Sequence, residues 1–523
     1  MSIEAEKDSN YRYSPISGQD VFNFIAELDD PPDVICKGGW WPRDDHEAML
    51  GSPGKAGYRG ISSDEAILDE KQFLGKRVHY FSSSHERSHI LCAFGMSPLP
   101  KGTPCYALVW EGAIGAFYEI DSDLNVILVA DVLNQPGNRY AQLYGLADPT
   151  FDKRNHPRFS DAGKLMALAS FSTRTEPTKD ERELMRLLIE KPFRDLNSYS
   201  GIGRMVHYNV GVEDHEFRNF AGIYSQAIFE TFHQYAVENL EPDRPLLIAG
   251  GCGLNCDWNT NWRQSGFFSE IFVPPVANDS GSAIGTAIDA QFHFTGNPKI
   301  EWDVYSGLEF NTHSRLAPDR YDVREVSYEQ VADLLADDLI LGWVNGRYEI
   351  GPRALGNRSI LANPFHDQTR DRLNEIKGRE HFRPIAPVCL LDEASRLFGC
   401  NDPSPYMLYT YNTSTDALPA VTHVNGTARI QTVTRTSNEK LFRLLTAFKA
   451  RTGYGVLCNT SLNFNGKGFI NNIHDLDAYT GEYGLDGFVV NGTAFLVKNS
   501  ERYMAHAKRI AVNDADRHDR RFR

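Results

Sequence analysis

No stretch of this 523-residue chain approaches the ~20 consecutive apolar residues of a membrane-spanning helix. The opening residues, Met-Ser-Ile-Glu-Ala-Glu-Lys-Asp, lack the basic-then-apolar pattern of a secretory signal. None of the eight cysteines falls in a C-x-x-C pair, so neither a zinc ribbon nor a disulfide scaffold is indicated. The closest two, Cys252 and Cys256, read as reduced core residues. Positive charge is also in short supply. With 54 Lys and Arg against 69 Asp and Glu the net charge is −15, which argues against coating nucleic acid or an anionic membrane. Internal repeats, low-complexity tracts and heptad arrays are absent as well. A cytoplasmic location, with no nucleic-acid or membrane partner, is the resulting expectation, and the chain is expected to be a monomer or homodimer.

What is present is an ordinary globular composition, 41% hydrophobic and 24% charged. At roughly 100–200 residues per domain the length predicts two or three units. Short β-rich runs alternate with amphipathic helical patterns, the mark of an α/β architecture. Strands are expected at 105–110, 245–249 and 339–344, a hairpin at 116–120 and 126–132, and helices at 213–239, 281–291 and 328–337. Periodicity fades among Pro, Asn, Asp and Arg between about 297 and 325, where the domain boundary is placed.

The most informative segment spans residues 351–383. It contains Gly351-Pro-Arg-Ala-Leu-Gly-Asn-Arg-Ser-Ile360, then Ile376-Lys-Gly-Arg and Phe382-Arg-Pro. With Arg347 just ahead of it, Arg353, Arg358, Lys377, Arg379 and Arg383 thus lie in one glycine-broken stretch of an acidic chain. Guanidinium forks match phosphate or carboxylate oxygens, and glycines let backbone N–H groups approach the same anion. Singly, each arginine reads as a solvated surface residue; together they read as an anion site. Farther on stand Arg429 and the run Asn459-Thr-Ser461.

These blocks closely resemble the carbamoyltransferase family, which includes nodulation-factor and antibiotic O-carbamoyltransferases. The likeness covers nearly the whole chain, and Glu4-Ala-Glu-Lys-Asp with Glu111-Gly-Ala-Ile-Gly is most like the cephalosporin-type branch. The resemblance implies a Kae1-like domain of the sugar-kinase/actin superfamily over residues 1–315, a YrdC-like α/β domain over 323–505, and a tail at 506–523. It places Arg353, Lys377, Arg383, Arg429, Asn459 and Ser461 at carbamoyl phosphate, with Arg383 and Ser461 catalytic. In the first domain it implies a metal held by His85, His89 and Asp279, iron(II) or a similar divalent ion, with His85 also assisting the transfer. Gly112, Gly250, Gly251, Asn255 and Arg358 are expected at the nucleotide. Glu111 replaces the usual aspartate of the family's glycine turn, which leaves its contacts open. The helix around Gly163-Lys164-Leu also matches one the family places near its cleft. The leading strand that family members usually carry ahead of Ile3-Glu-Ala is missing here, and a misassigned start is the expected reason.

The activity so implied is transfer of a carbamoyl group from carbamoyl phosphate, through carbamoyl-adenylate, to a hydroxyl of a specialised metabolite, with ATP and Mg²⁺. A 3-hydroxymethylcephem is the expected acceptor; a sugar hydroxyl of a macrolide, aminoglycoside or nodulation factor is the alternative. One pattern points elsewhere. His85-Glu-Arg-Ser-His89 satisfies the H-E-x-x-H signature of zinc metalloproteases, which would make Glu86 a general base. That reading needs a third ligand and a fitting cleft, and the residues nearby do not supply them.

Overall fold

The computed structural model of the chain describes residues 1–4, 16–28, 30–41, 54–313, 316 and 319–510. Contacts divide it into two compact units, residues 16–302 and residues from 303 onward, the latter joined by residues 1–4. The division falls inside the stretch where periodicity fades. The first residues group with the second unit for a visible reason. The Ser2 amide donates to the Ser306 carbonyl (2.8 Å), the Glu4 amide to the Tyr348 hydroxyl (3.2 Å), and the Gly351 amide to the Glu4 carboxylate (2.7 Å).

In the unit 16–302, β1 (Val34–Cys36), β2 (Ile67–Phe73) and β3 (Lys76–Ser82) form a three-stranded sheet in the order β1-β3-β2. A second sheet holds β4 (Cys105–Trp110), β5 (Gly115–Ile120), β6 (Val126–Asp131), β7 (Leu246–Ala249) and β8 (Ile271–Phe272), in the order β6-β5-β4-β7-β8. β4, β5 and β6 are antiparallel neighbours, whereas β4, β7 and β8 run parallel. All six residues of β4 are buried, as an uninterrupted apolar run in an interior strand should be. Its end is locked by Trp110, stacked on Trp258 at 4.5 Å. The expected long helix is His215–Asn239, capped by the Asp214 carboxylate on the Phe217 amide.

The unit from 303 onward is built on one eight-stranded mixed sheet. Its strands are β9 (Tyr321–Glu325), β10 (Leu341–Val344), β11 (Arg358–Ala362), β12 (Ala386–Leu390), β15 (Gln431–Val433), β16 (Val456–Ser461), β17 (Gly487–Val490) and β18 (Thr493–Val497). They lie in the order β15-β12-β16-β11-β10-β17-β18-β9, and a separate pair joins β13 (Tyr411–Asn412) to β14 (Thr427–Ala428). One face is filled by the helices Tyr328–Ala336 and Glu439–Thr452, whose Leu334, Leu335, Leu444 and Phe448 pack on Leu341, Leu361 and Leu457. The other face packs Leu373 and Ile376 of the helix Asp367–Ile376 with Val344, Ile360 and Cys458. Burying each such large apolar side chain contributes about 1.5–3 kcal/mol, so the sheet's centre is the rigid part of this unit. β11 pairs with β16, bringing Ser359 opposite Ser461 and Leu361 opposite Asn459.

All eight cysteines are free thiols. Among the described residues no helix is long and apolar enough to cross a membrane.

Candidate functional site

The H-E-R-S-H segment opens the helix His85–Met96, with Ser84 as N-cap accepting from the Arg87 amide. Four residues apart on one helix face, the two imidazoles meet: their Nε2 atoms are 3.1 Å apart. Asp279 reaches them from just ahead of the helix Ser280–Thr295. Glycine makes that approach possible. A Cβ on Gly285 would stand 1.7 Å from the Ser88 carbonyl oxygen, and one on Gly281 2.1 Å from that of Val276. The closely packed helices are clamped by Arg87, whose Nε and Nη2 each lie 2.8 Å from an Asp289 carboxylate oxygen, and by the Ser88–Thr286 hydroxyl pair, also 2.8 Å.

The fourth member is Glu111, from the turn after β4. Its Oε2 lies 3.2 Å from His85 Nε2 and 3.7 Å from His89 Nε2, while Asp279 Oδ1 is 3.8 and 3.5 Å from the same two atoms. The four ligand atoms all lie within 4.8 Å of one another. Donors about 2.0–2.1 Å from one ion stand roughly 3.0–3.4 Å apart in a tetrahedral or octahedral shell, so the spacing fits a single divalent ion. Two imidazoles and two carboxylates suit iron(II), manganese or zinc alike. Burial alone would lower the His89 pKa; the Asp279 hydrogen bond and the Glu111 and Asp279 charges outweigh it and hold it above the ordinary value. Asp279 is in turn held below the usual carboxylate range: burial opposes this, but His89 and His85 prevail.

An aromatic wall supports this cluster. Tyr58 donates to Glu111 Oε1 (2.5 Å) and stacks on His85 at 4.6 Å between ring centres; Trp40 packs edge-on to both. Burial, then the Glu111 charge, pushes the Tyr58 hydroxyl above its ordinary pKa, so it remains a donor. Glu86 faces elsewhere. Its Oε1 accepts from Arg59 (2.8 Å) and from the Tyr118 hydroxyl, and its Oε2 from the Gly60 amide (2.7 Å). A carboxylate so engaged is no general base for a metallopeptidase.

The glycine turns expected at the nucleotide converge beside Glu111. Gly250, at φ +92°, packs so closely that a Cβ would meet the Trp110 carbonyl oxygen at 2.5 Å and Glu111 Cβ at 2.8 Å. The Asn138 amide donates to the Gly112 carbonyl at 3.3 Å. Gly251 begins the short turn Gly251–Leu254, with open space where a side chain would stand. Asn255 caps the following helix through Oδ1, on the Asp257 and Trp258 amides, and its buried Nδ2 has no partner among the described residues.

In the other unit, the turn between β10 and β11 carries Arg353. Glu349 organises it by accepting from the Leu355 (2.5 Å), Asn357 (3.3 Å) and Arg358 (3.4 Å) amides. Arg358 itself is fully buried. Its guanidinium donates to the Asn345, Gly346, Asn357 and Leu308 carbonyls and to Asn471, so it ties the turn together from inside rather than facing a nucleotide.

Lys377 is joined to Ser461: its Nζ donates to the Ser461 carbonyl (2.6 Å) and to the Asn463 carbonyl and side chain (2.9 and 2.5 Å). Burial, then Arg379, drives its pKa well below the ordinary lysine value. Ser461 Oγ donates to Asn463 Oδ1 at 2.5 Å. Asn459 gives its Nδ2 to the Ala354 carbonyl (3.1 Å) and Gln431 (2.9 Å); its buried Oδ1 has no partner among the described residues. Arg379, counted in the anion stretch of the sequence but not among the residues that the resemblance places at carbamoyl phosphate, stands among the cluster's other guanidiniums. Burial, then Arg383 and Arg429, presses it below the usual guanidinium range, against the opposing pull of Glu380 and Tyr479. Arg429 adds a buried Nε with no partner among the described residues. A guanidinium keeps its proton, so the result is an unbalanced positive cluster, a place that attracts an anion.

One α/β unit thus carries a histidine–carboxylate cluster able to hold a metal ion, and the other a concentrated cationic cluster. Comparison makes this particular. A family model described as "Carbamoyltransferase C-terminus" matches residues 332–498, and "Carbamoyltransferase N-terminus" matches residues 205–288. The chain is 47% identical over 494 residues to 3'-hydroxymethylcephem-O-carbamoyltransferase of Amycolatopsis lactamdurans and 45% identical to that of Streptomyces clavuligerus, with 94% of each chain covered in both cases. Nodulation protein U of Rhizobium tropici is 34% identical over 439 residues, 77% of this chain and 73% of that one. The chain belongs to the carbamoyltransferase family and is an enzyme of that class.

Proposed function

We propose that this carbamoyltransferase activates carbamoyl phosphate with ATP and passes the carbamoyl group, through carbamoyl-adenylate, to the hydroxyl of a 3'-hydroxymethylcephem. The observation that carries the donor half is the cationic cluster of Lys377, Arg379, Arg383 and Arg429, joined through Lys377 to the Ser461–Asn463 turn. Arg353, Arg383 and Arg429 hold the donor phosphate. Asn459 Oδ1, a buried acceptor awaiting a donor, suits the N–H of a carbamoyl group, and the Ser461 hydroxyl sits beside it on the same strand. Lys377 presents these groups by bracing their turn.

Atoms balance in three steps. Water releases phosphate from carbamoyl phosphate, leaving carbamate. A carbamate oxygen attacks the α-phosphorus of ATP, carried as its Mg²⁺ complex, and pyrophosphate departs. The acceptor hydroxyl then attacks the carbonyl carbon, its proton is lost and AMP leaves. Cationic forks preorganised around developing phosphoryl charge are commonly the largest catalytic contribution.

The acceptor half is read from the unit 16–302. His85, His89 and Asp279, with Glu111 added by its distances, would hold the divalent ion, iron(II) or similar, which when bound supplies Lewis-acid polarisation. His85 Nε2 points into that ligand set, so its part is ligation rather than proton abstraction. Gly112, Gly250, Gly251 and the free Asn255 Nδ2 would receive the nucleotide end of the intermediate. The finer fold reading is Kae1-like for the first unit and YrdC-like for the second. The order β6-β5-β4-β7-β8, three antiparallel strands followed by two parallel ones, supports the first label.

The acceptor follows the two relatives of high identity, both 3'-hydroxymethylcephem enzymes by name. The donor assignment is tested by ATP–pyrophosphate exchange that depends on carbamoyl phosphate. Arg383→Ala and Ser461→Ala should each lose it, by about 100-fold or more for a group contacting the transition state; unchanged exchange in folded variants refutes the assignment.

A further inference from the structure

We infer that Asn374 is a positioning residue for the donor's anion site, acting through Arg379 and Arg383; this rests on the carbamoyl phosphate reading above. Asn374 lies near the end of the helix Asp367–Ile376 and is completely buried. Both sides of its amide are engaged. Nδ2 donates to the His381 carbonyl (3.2 Å) and the Arg383 carbonyl (3.0 Å), and Oδ1 accepts from Arg379 Nε (2.7 Å). The backbone repeats the link, the Arg379 amide donating to the Asn374 carbonyl at 3.1 Å. A further Arg379 nitrogen reaches the Pro384 carbonyl at 3.4 Å.

One buried side chain therefore fixes the guanidinium of Arg379 and the backbone that carries Arg383. Such a tether has work to do. Arg379 stands among like charges, Arg383 and Arg429, which drive it away in the absence of an anion. Orienting two guanidiniums toward one phosphate requires them to be held against that repulsion before the ligand arrives. The residue type is specific to the task. Aspartate could hold Arg379 but could not donate to two carbonyls, and glutamine would overreach by one methylene. Both ends of the Asn374 amide are spent on these protein contacts, so Asn374 acts by placement alone.

The test is carbamoyl phosphate-dependent ATP–pyrophosphate exchange by the full chain, with KM for carbamoyl phosphate and KM for ATP measured separately. Asn374→Asp should raise KM for carbamoyl phosphate roughly tenfold or more, leave KM for ATP near the wild-type value, and weaken binding of inorganic phosphate measured by calorimetry. A merely structural role would lower the melting temperature without splitting the two KM values. Where Asn374→Asp folds poorly, Arg379→Lys serves instead: it keeps the charge, removes the tethered Nε, and should raise the same KM. A folded variant of either kind with an unchanged KM for carbamoyl phosphate overturns the inference while leaving the donor reading intact. Absence of carbamoyl phosphate-dependent exchange in the wild-type chain overturns both.

Discussion

His89 illustrates how single residues would carry the proposed acceptor half. An imidazole binds a metal only in its neutral form, so protons compete with the ion for it. Because Asp279 and Glu111 hold the His89 pKa above the usual 6.5, that competition begins at a higher pH than for an ordinary histidine. Metal affinity should therefore be full at mildly alkaline pH and fall as the pH drops through neutrality. Calorimetry with cobalt(II) across this range checks it, and Asp279→Asn should weaken binding at every pH. Glu86 provides the contrast. Glu86→Gln should destabilise the fold by about 1–3 kcal/mol, the cost of leaving buried donors poorly matched, while metal content stays unchanged; thermal denaturation and metal analysis separate the two. The residue types of this centre were legible in the sequence, but their directions were not. Helical spacing put His85 and His89 on one face, and the family resemblance, not the spacing, marked them as ligands. That Glu111 joins them while Glu86 turns to Arg59 and Tyr118 depends on a turn and a sheet no local pattern encodes. Arg358 shows the same limit: a buried guanidinium bonded to internal carbonyls and the Asn471 side chain looks, in sequence, like one waiting for a ligand.

Among the elements, the packing of the helix His85–Met96 on Ser280–Thr295 decides whether Asp279 can reach the histidines. With the Ser88 carbonyl 1.7 Å from where a Cβ would stand at Gly285, Gly285→Val must push the helices apart. A loss of about 1–3 kcal/mol or more is expected from overpacking, together with loss of bound metal, read by thermal denaturation and metal analysis; a stable variant retaining metal would show that the helix contact does not set the site. Elements differ in how plainly they announce themselves. β4, an unbroken buried apolar run, and the capped helix His215–Asn239 were predictable to within two residues. β2 was not, because Ile67–Phe73 is exposed along almost its whole length and carries no alternation for a pattern to report. The strands β11 and β16 hid inside motifs whose arginines, asparagines and serines read as loop chemistry.

At the scale of the molecule, the proposal divides the reaction between the two units. The cationic cluster and the Ser461 turn belong wholly to the unit from 303 onward, and the histidine–carboxylate cluster wholly to residues 16–302. The halves should therefore fail separately. His89→Ala is expected to keep carbamoyl phosphate-dependent ATP–pyrophosphate exchange while losing transfer to the acceptor, and Arg383→Ala to lose both; radiolabelled pyrophosphate exchange and product analysis on the same preparations check this. The measurement that tests the central claim most directly is mass spectrometry of a 3'-hydroxymethylcephem incubated with the wild-type chain, carbamoyl phosphate, ATP, Mg²⁺ and iron(II). The account predicts an acceptor heavier by one carbamoyl group in place of one hydrogen, formed only when both carbamoyl phosphate and ATP are present. An acceptor left unmodified, or one carbamoylated equally well without ATP, would contradict it.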